Sequence, residues 1–141
     1  MKLTNTLTMK RKAGMTLLEL TVVILVLLSL ISILFIGARA WKKGSDRAAN
    51  ILNIRNVQQA VRAHVNVRGL TTPAAVGGGA ALASTEIVGT GKYLNTVSNP
   101  VPGTLTYAYT ELVPAIGELY LNVTGDTDNE YSPTAGSTSE W

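Results

Sequence analysis

The chain has no cysteine, a single histidine and a single phenylalanine, and the first of its five prolines comes only at Pro73. Without thiols there is no disulfide and no thiolate metal site, and the lack says nothing about compartment, since such a chain is indifferent to redox state. Without proline ahead of residue 73, nothing of that kind kinks or breaks a helix in the first half of the chain. Charge is missing too: none occurs from Leu20 to Ala38, about 19 residues or roughly 28 Å of helix, enough to cross a bilayer core. The lone histidine, His64, lies among Val61, Val65 and Arg68, a setting for packing or an interface rather than for a general base. No serine has an evident histidine and carboxylate beside it in sequence, so catalysis is not expected.

What is present begins with a basic leader, Lys2, Lys10, Arg11 and Lys12 with no acid, ending at Gly14. The apolar run then starts with one carboxylate, Glu19, inside it. An ionisable group at membrane depth is costly enough to imply a use. A removable secretory signal would need a shorter apolar core, about 7 to 15 residues, and its small-residue cleavage site would have to be Ala38-Arg39-Ala40, which contains a charge. A plain uncleaved anchor, with the basic leader in the cytoplasm by the positive-inside rule, accounts for everything except Gly14 and Glu19.

Gly14-Met15-Thr16-Leu17-Leu18-Glu19 followed by an apolar helix resembles the class III signal of type IV pilins and type II secretion pseudopilins. The resemblance implies cleavage after Gly14 by a prepilin peptidase, N-methylation of Met15 as the new first residue, and retention of the apolar segment in the mature protein. Met15 stands where the family more often has phenylalanine. Glu19 would be the family's carboxylate at the fifth mature position. It would pair with the amine of Met15, or with that of a neighbouring subunit, during assembly. Such an amine has a reference pKa of about 7.7 to 8.0 and is charged near neutrality. The implied partners are other copies of the chain in a helical homopolymer, the peptidase, an inner-membrane assembly platform and the membrane before assembly. The implied location is the bacterial inner membrane as a single-pass precursor, then a cell-surface pilus or a periplasmic pseudopilus. The leading expectation is therefore a structural subunit of a type IV pilus-like filament. The alternatives are a major pseudopilin of type II secretion and, in another class, a single-pass membrane-anchored binding protein. Two departures from the family bear on structure: the helix has no proline, and no disulfide can close the C-terminal loop as in many pilins.

Behind the apolar run, Arg39, Lys42, Lys43, Arg47, Arg55, Arg62 and Arg68 face one acid, Asp46, before Leu70. After it, Lys92 stands against Glu86, Glu111, Glu118, Asp126, Asp128, Glu130 and Glu140. A basic stem and an acidic head favour lateral packing of one subunit on another, and the acidic head argues against direct nucleic-acid binding. Lys42, Lys43 and Arg47 fall where basic residues attract anionic lipid. Ile51, Ile54, Val57, Val61 and Val65 recur at helical spacing, with Arg55, Gln59, Arg62 and Asn66 on another face. The spacing predicts one helix from near Met15 to about Arg68, ended by Gly69, with Gly37 and Gly44 as the places where it could bend.

After Leu70, Pro73 and Gly77-Gly78-Gly79 mark a connector, and Ser84-Thr85-Glu86 suggests a capped short helix reaching towards Tyr93-Leu94. Gly89-Thr90-Gly91-Lys92 lacks the spacing of a phosphate loop and reads as an ordinary loop. Leu105, Tyr107 and Tyr109, then Leu119, Leu121 and Val123, alternate with other residues as two strands with one buried face, joined by a turn at 113–117. Asn122-Val123-Thr124 matches a glycosylation acceptor, a pattern common by chance. In the polar segment Gly125 to Trp141, Asp126, Asp128 and Glu130 offer a set of calcium ligands, and the resemblance adds weight because major pseudopilins often hold calcium in a C-terminal loop. The expectation is thus an α+β chain: residues 1–14 a leader, 15–38 a transmembrane or filament-core helix, 39–70 an amphipathic stem, and 71–141 a small globular head. The long helix packs on a small antiparallel sheet, pilin-like in layout.

Overall fold

The computed structural model describes residue 14 and residues 16–74, 77–134 and 136–141. The chain divides into two compact units, Met1–Ala40 and Trp41–Trp141. One helix, α1 (Leu17–Arg68), contributes to both, and it is followed by a short α2 (Ser84–Ile87) and two strands, β1 (Thr106–Tyr109) and β2 (Leu121–Thr124). The leader and Met15 lie outside the described residues.

The predicted limits of the long helix hold at both ends. Gly37 and Gly44 do not interrupt it. Its C-terminus closes on Gly69, whose φ of +64° suits a residue without Cβ. The Gly69 N–H donates to the Asn66 carbonyl at 3.4 Å and the Leu70 N–H to the Val65 carbonyl at 2.9 Å. This pair of bonds is the Schellman arrangement, and Leu70 packs on the core to which Val65 belongs.

In the second unit the buried stripe of α1 is Ile54, Val57, Ala60, Val61 and Val65, joined by Leu82, Ile87, Val113, Tyr120 and Leu121. Each of the larger apolar side chains contributes about 1.5–3 kcal/mol by leaving water. Three polar residues of α1 are buried in the same stripe: Asn50, Gln58 and His64. Gln58 acts as a peptide-like rung. Its Nε2 donates to the Glu118 carbonyl at 2.9 Å, while its Oε1 accepts from the Tyr120 N–H at 3.0 Å. Asn50 donates to the Tyr131 carbonyl at 2.9 Å and accepts from the Tyr107 hydroxyl at 2.7 Å. Asn53 reaches the Ser98 carbonyl at 2.7 Å. These side chains do for a two-stranded ribbon what neighbouring strands do in a larger sheet, and a lone hairpin is marginal without such support.

The strands pair antiparallel in the register Tyr107↔Val123 and Tyr109↔Leu121, so the expected apolar face is the one turned to the core. Two local expectations are corrected. Alternation puts Tyr120 on the outer face, yet it is fully buried. The connector pairs there with the segment after β1, through Leu82 N–H to Glu111 O and Val113 N–H to Ala80 O, both 2.9 Å. The Tyr120 hydroxyl donates to the Leu82 carbonyl at 2.7 Å. Gly79 permits this approach, because a Cβ there would collide with the Val113 backbone carbonyl. The turn expected at 113–117 closes at its C-terminal end, where the Glu118 N–H donates to the Ala115 carbonyl at 3.0 Å and Ile116 is exposed, while Val113, Pro114 and Ala115 ahead of it are buried. Finally, the helix at Ser84 is a single turn, with Ala83 at its N-cap and no side-chain cap. Val88 leaves it to bridge Leu94, and Gly89 to Lys92 form a loop.

Burial, then the nearby Glu111 carboxylate, pushes the Tyr120 phenol up to about 12. The folded state needs this phenol protonated, so its contribution is whole below the unfolded value of about 10 and is lost as pH rises from there through the folded value. Tyr120→Phe should lower the unfolding free energy by about 1 kcal/mol at neutral pH by stranding the Leu82 carbonyl. It should also flatten the loss of stability between about pH 10 and 12. Urea titrations of the detergent-solubilised chain across that range check both effects.

Candidate assembly site and C-terminal loop

Gly14 and Thr16 are exposed and non-helical, and α1 starts immediately after them. The Thr16 carbonyl accepts the first helical bond, from Leu20 N–H at 3.1 Å, which makes Thr16 the N-cap. Its hydroxyl oxygen accepts from the Glu19 N–H at 3.2 Å. In return, Glu19 Oε2 accepts from the Thr16 N–H at 2.8 Å and from its hydroxyl at 3.0 Å. The two residues form a reciprocal capping box. The carboxylate thus neutralises unpaired donors at the positive end of the helix dipole. Among the described residues only Oε2 is engaged. The signal was present in the sequence as Thr-x-x-Glu before an apolar run.

The apolar half of α1 is uncovered along its length, from Leu17 and Leu18 to Phe35 and Ile36. Its polar side chains after Glu19 are Thr21, Ser29 and Ser32. Each hydroxyl donates to a carbonyl one turn back, at Leu18, Val26 and Leu28 respectively, over 2.8–2.9 Å. No hydroxyl there asks for water, so the surface suits lipid or close-packed helices. By length and composition the helix is a candidate membrane anchor.

The carboxylates offered as calcium ligands take separate roles instead of converging. Asp126 turns inward and organises the loop behind it. Its Oδ1 accepts from the Glu130 N–H at 2.8 Å. Its Oδ2 accepts from Tyr131 N–H at 3.1 Å, Ser132 N–H at 2.8 Å and the Ser132 hydroxyl at 2.6 Å. Asn129 supplies the left-handed residue of this loop at φ +52°. Glu130 pairs with Lys43, and Asp128 is exposed. Among the described residues no three His, Cys, Asp or Glu side chains group where they could hold a metal ion.

The closure that a disulfide would provide is made by the stem. Lys43 holds Glu130 and Asn50 holds the Tyr131 carbonyl. Arg62 donates to the Glu140 carbonyl at 3.2 Å, and the Arg55 guanidinium stacks over the Trp141 ring at 4.7 Å. The Lys43 ammonium is held above the ordinary lysine range, first by its hydrogen bond to Glu130. Part of the opposite charge on stem and head is therefore matched within the chain. His64, buried in the stripe, places Nε2 3.2 Å from Glu86 Oε2 and meets the Tyr93 ring edge-on at 5.6 Å. It joins α1 to α2 as an interface residue.

Comparison with known proteins gave no matching family model and no significant match to a curated protein or a solved structure.

Burial raises the Asp126 carboxyl, but hydrogen bonds from the Ser132 hydroxyl and the N–H groups of Tyr131, Glu130 and Ser132 outweigh it and leave the group below its ordinary value. Its contribution is present above the unfolded value of about 3.9 and lost as pH falls through the folded one. Asp126→Asn sets amide hydrogens against backbone N–H donors and should cost about 1–3 kcal/mol at neutral pH. The variant should also lose part of the acid-side slope below about pH 4. Thermal unfolding with and without calcium checks this; the variant should melt lower in both, and the wild-type midpoint should not respond to calcium.

Proposed function

We propose that the chain is a structural subunit of a type IV pilus-like filament, cut after Gly14 by prepilin peptidase, methylated at Met15 and polymerised through its N-terminal helix. The observation that carries this reading is a charged capping box at the head of an uncovered apolar helix, two positions after an exposed glycine. So large an apolar surface must be covered, by lipid or by other copies of the chain. A filament core of such helices covers it fully, and the satisfied hydroxyls leave no polar group stranded there. Cleavage puts a new amine one residue before Thr16. Glu19 can then keep its bond to Thr16 while Oε1 accepts the amine of its own or a neighbouring chain. An ion pair in so dry a setting contributes more to register than to stability.

The capping box also favours a second reading. A single-pass membrane-anchored binding protein could use Glu19 only to finish its helix, with no role between subunits. The two readings separate on Glu19→Ala in cells. In the filament reading the variant is cut normally, stays in the membrane and yields few or no filaments in sheared surface or periplasmic material viewed by electron microscopy. Normal filament yield from the variant, or no filaments containing the wild-type chain, would count against the proposal.

A further inference from the structure

The apolar run of α1 ends at Ala38, and Trp41 follows within one turn, 78 % exposed. With Glu19 at one edge of the hydrocarbon, the roughly 28 Å from Leu20 to Ala38 brings Trp41 to the opposite headgroup layer. An indole is suited to that layer, with an apolar ring and one N–H donor. From sequence, the neighbouring cations Lys42, Lys43 and Arg47 would be the natural membrane contacts. The structure gives two of them carboxylate partners. Lys42 Nζ lies 2.7 Å from Asp46 Oδ2, and Lys43 pairs with Glu130 of the C-terminal loop. Asp128 adds its negative charge near Lys43. With Arg39 these are four cations near the three acids Asp46, Asp128 and Glu130, so most of their attraction to anionic lipid, about 1 kcal/mol per free basic residue, is offset. The exposed ring of Trp41 is not cancelled by anything of this kind.

We infer that Trp41 is a membrane-interface anchor that fixes the depth of the subunit in the leaflet opposite its basic leader, and that it acts through indole partitioning rather than through attraction to anionic lipid. The occupant of this surface is the headgroup and carbonyl layer of a bilayer. The inference deepens the membrane stage of the proposed function and does not depend on cleavage at Gly14, so the two can fail separately.

The chain has two tryptophans, so Trp141→Phe leaves Trp41 as the sole emitter and Trp41→Phe provides the control. Each full-length variant is reconstituted into phosphatidylcholine vesicles, with and without phosphatidylglycerol, that carry bromine at shallow or deep acyl positions. Flotation confirms vesicle association. The expected result is blue-shifted Trp41 emission, quenched most strongly by the shallow label and equally in both lipid mixtures, while Trp141 emission is unaffected. Three results overturn the inference: water-like, unquenched Trp41 emission; strongest quenching by the deep label; or quenching that requires phosphatidylglycerol. Failure of the Trp141→Phe chain to float with vesicles overturns it as well.

Discussion

The apolar surface that α1 leaves uncovered between Leu17 and Ile36 is the constraint to which the rest of the chain answers. Water tolerates exposed apolar patches of only a few hundred Å² on a typical monomer. This surface therefore needs a bilayer or other helices, and both demand that every polar group be satisfied locally. Thr21, Ser29 and Ser32 meet that demand with bonds to their own helix. Glu19 meets it through Thr16, at the one place on the helix where N–H groups lack partners and negative charge is favoured. A carboxylate that looks misplaced in the sequence is in the position where an apolar helix can best hold one.

The second half of the same helix works differently. From Asn50 onward it is the template on which a very small sheet folds. Two strands of four residues cannot supply a core of their own. The helix gives them an apolar stripe and, within it, amide side chains that take the place of a missing strand. Gln58 binds both ends of a backbone segment, from Glu118 to Tyr120, and Asn50 ties Tyr107 to Tyr131. The C-terminal segment is held by Asp126 from within and by Lys43, Asn50, Arg55 and Arg62 from the stem. A chain without cysteine reaches by distributed contacts what one covalent bond does elsewhere.

The elements legible in the sequence are those set by local periodicity. The limits of α1 follow from an apolar spacing near 3.6 and from Gly69, and the strands follow from alternation through Tyr107, Tyr109, Leu121 and Val123. The polar residues of the core were not legible. Asn50 and Gln58 are buried because of carbonyls 81 and 60 positions away, and nothing nearby in sequence announces such partners. Tyr120 was misplaced for the same reason, since the segment that covers it, near Leu82, arrives from the connector. The capping box could have been read from Thr16 and Glu19. The separate fates of Asp126, Asp128 and Glu130 could not, because they depend on where loop N–H groups and Lys43 stand in space.

The proposed filament role requires that this helix lose its leader and present a new amine beside Glu19. Mass spectrometry of the N-terminus of membrane-extracted protein tests that most directly. A filament subunit should begin at Met15 and carry one methyl group on its α-amine. A terminus that begins at Met1, with residues 1–14 intact, would contradict it.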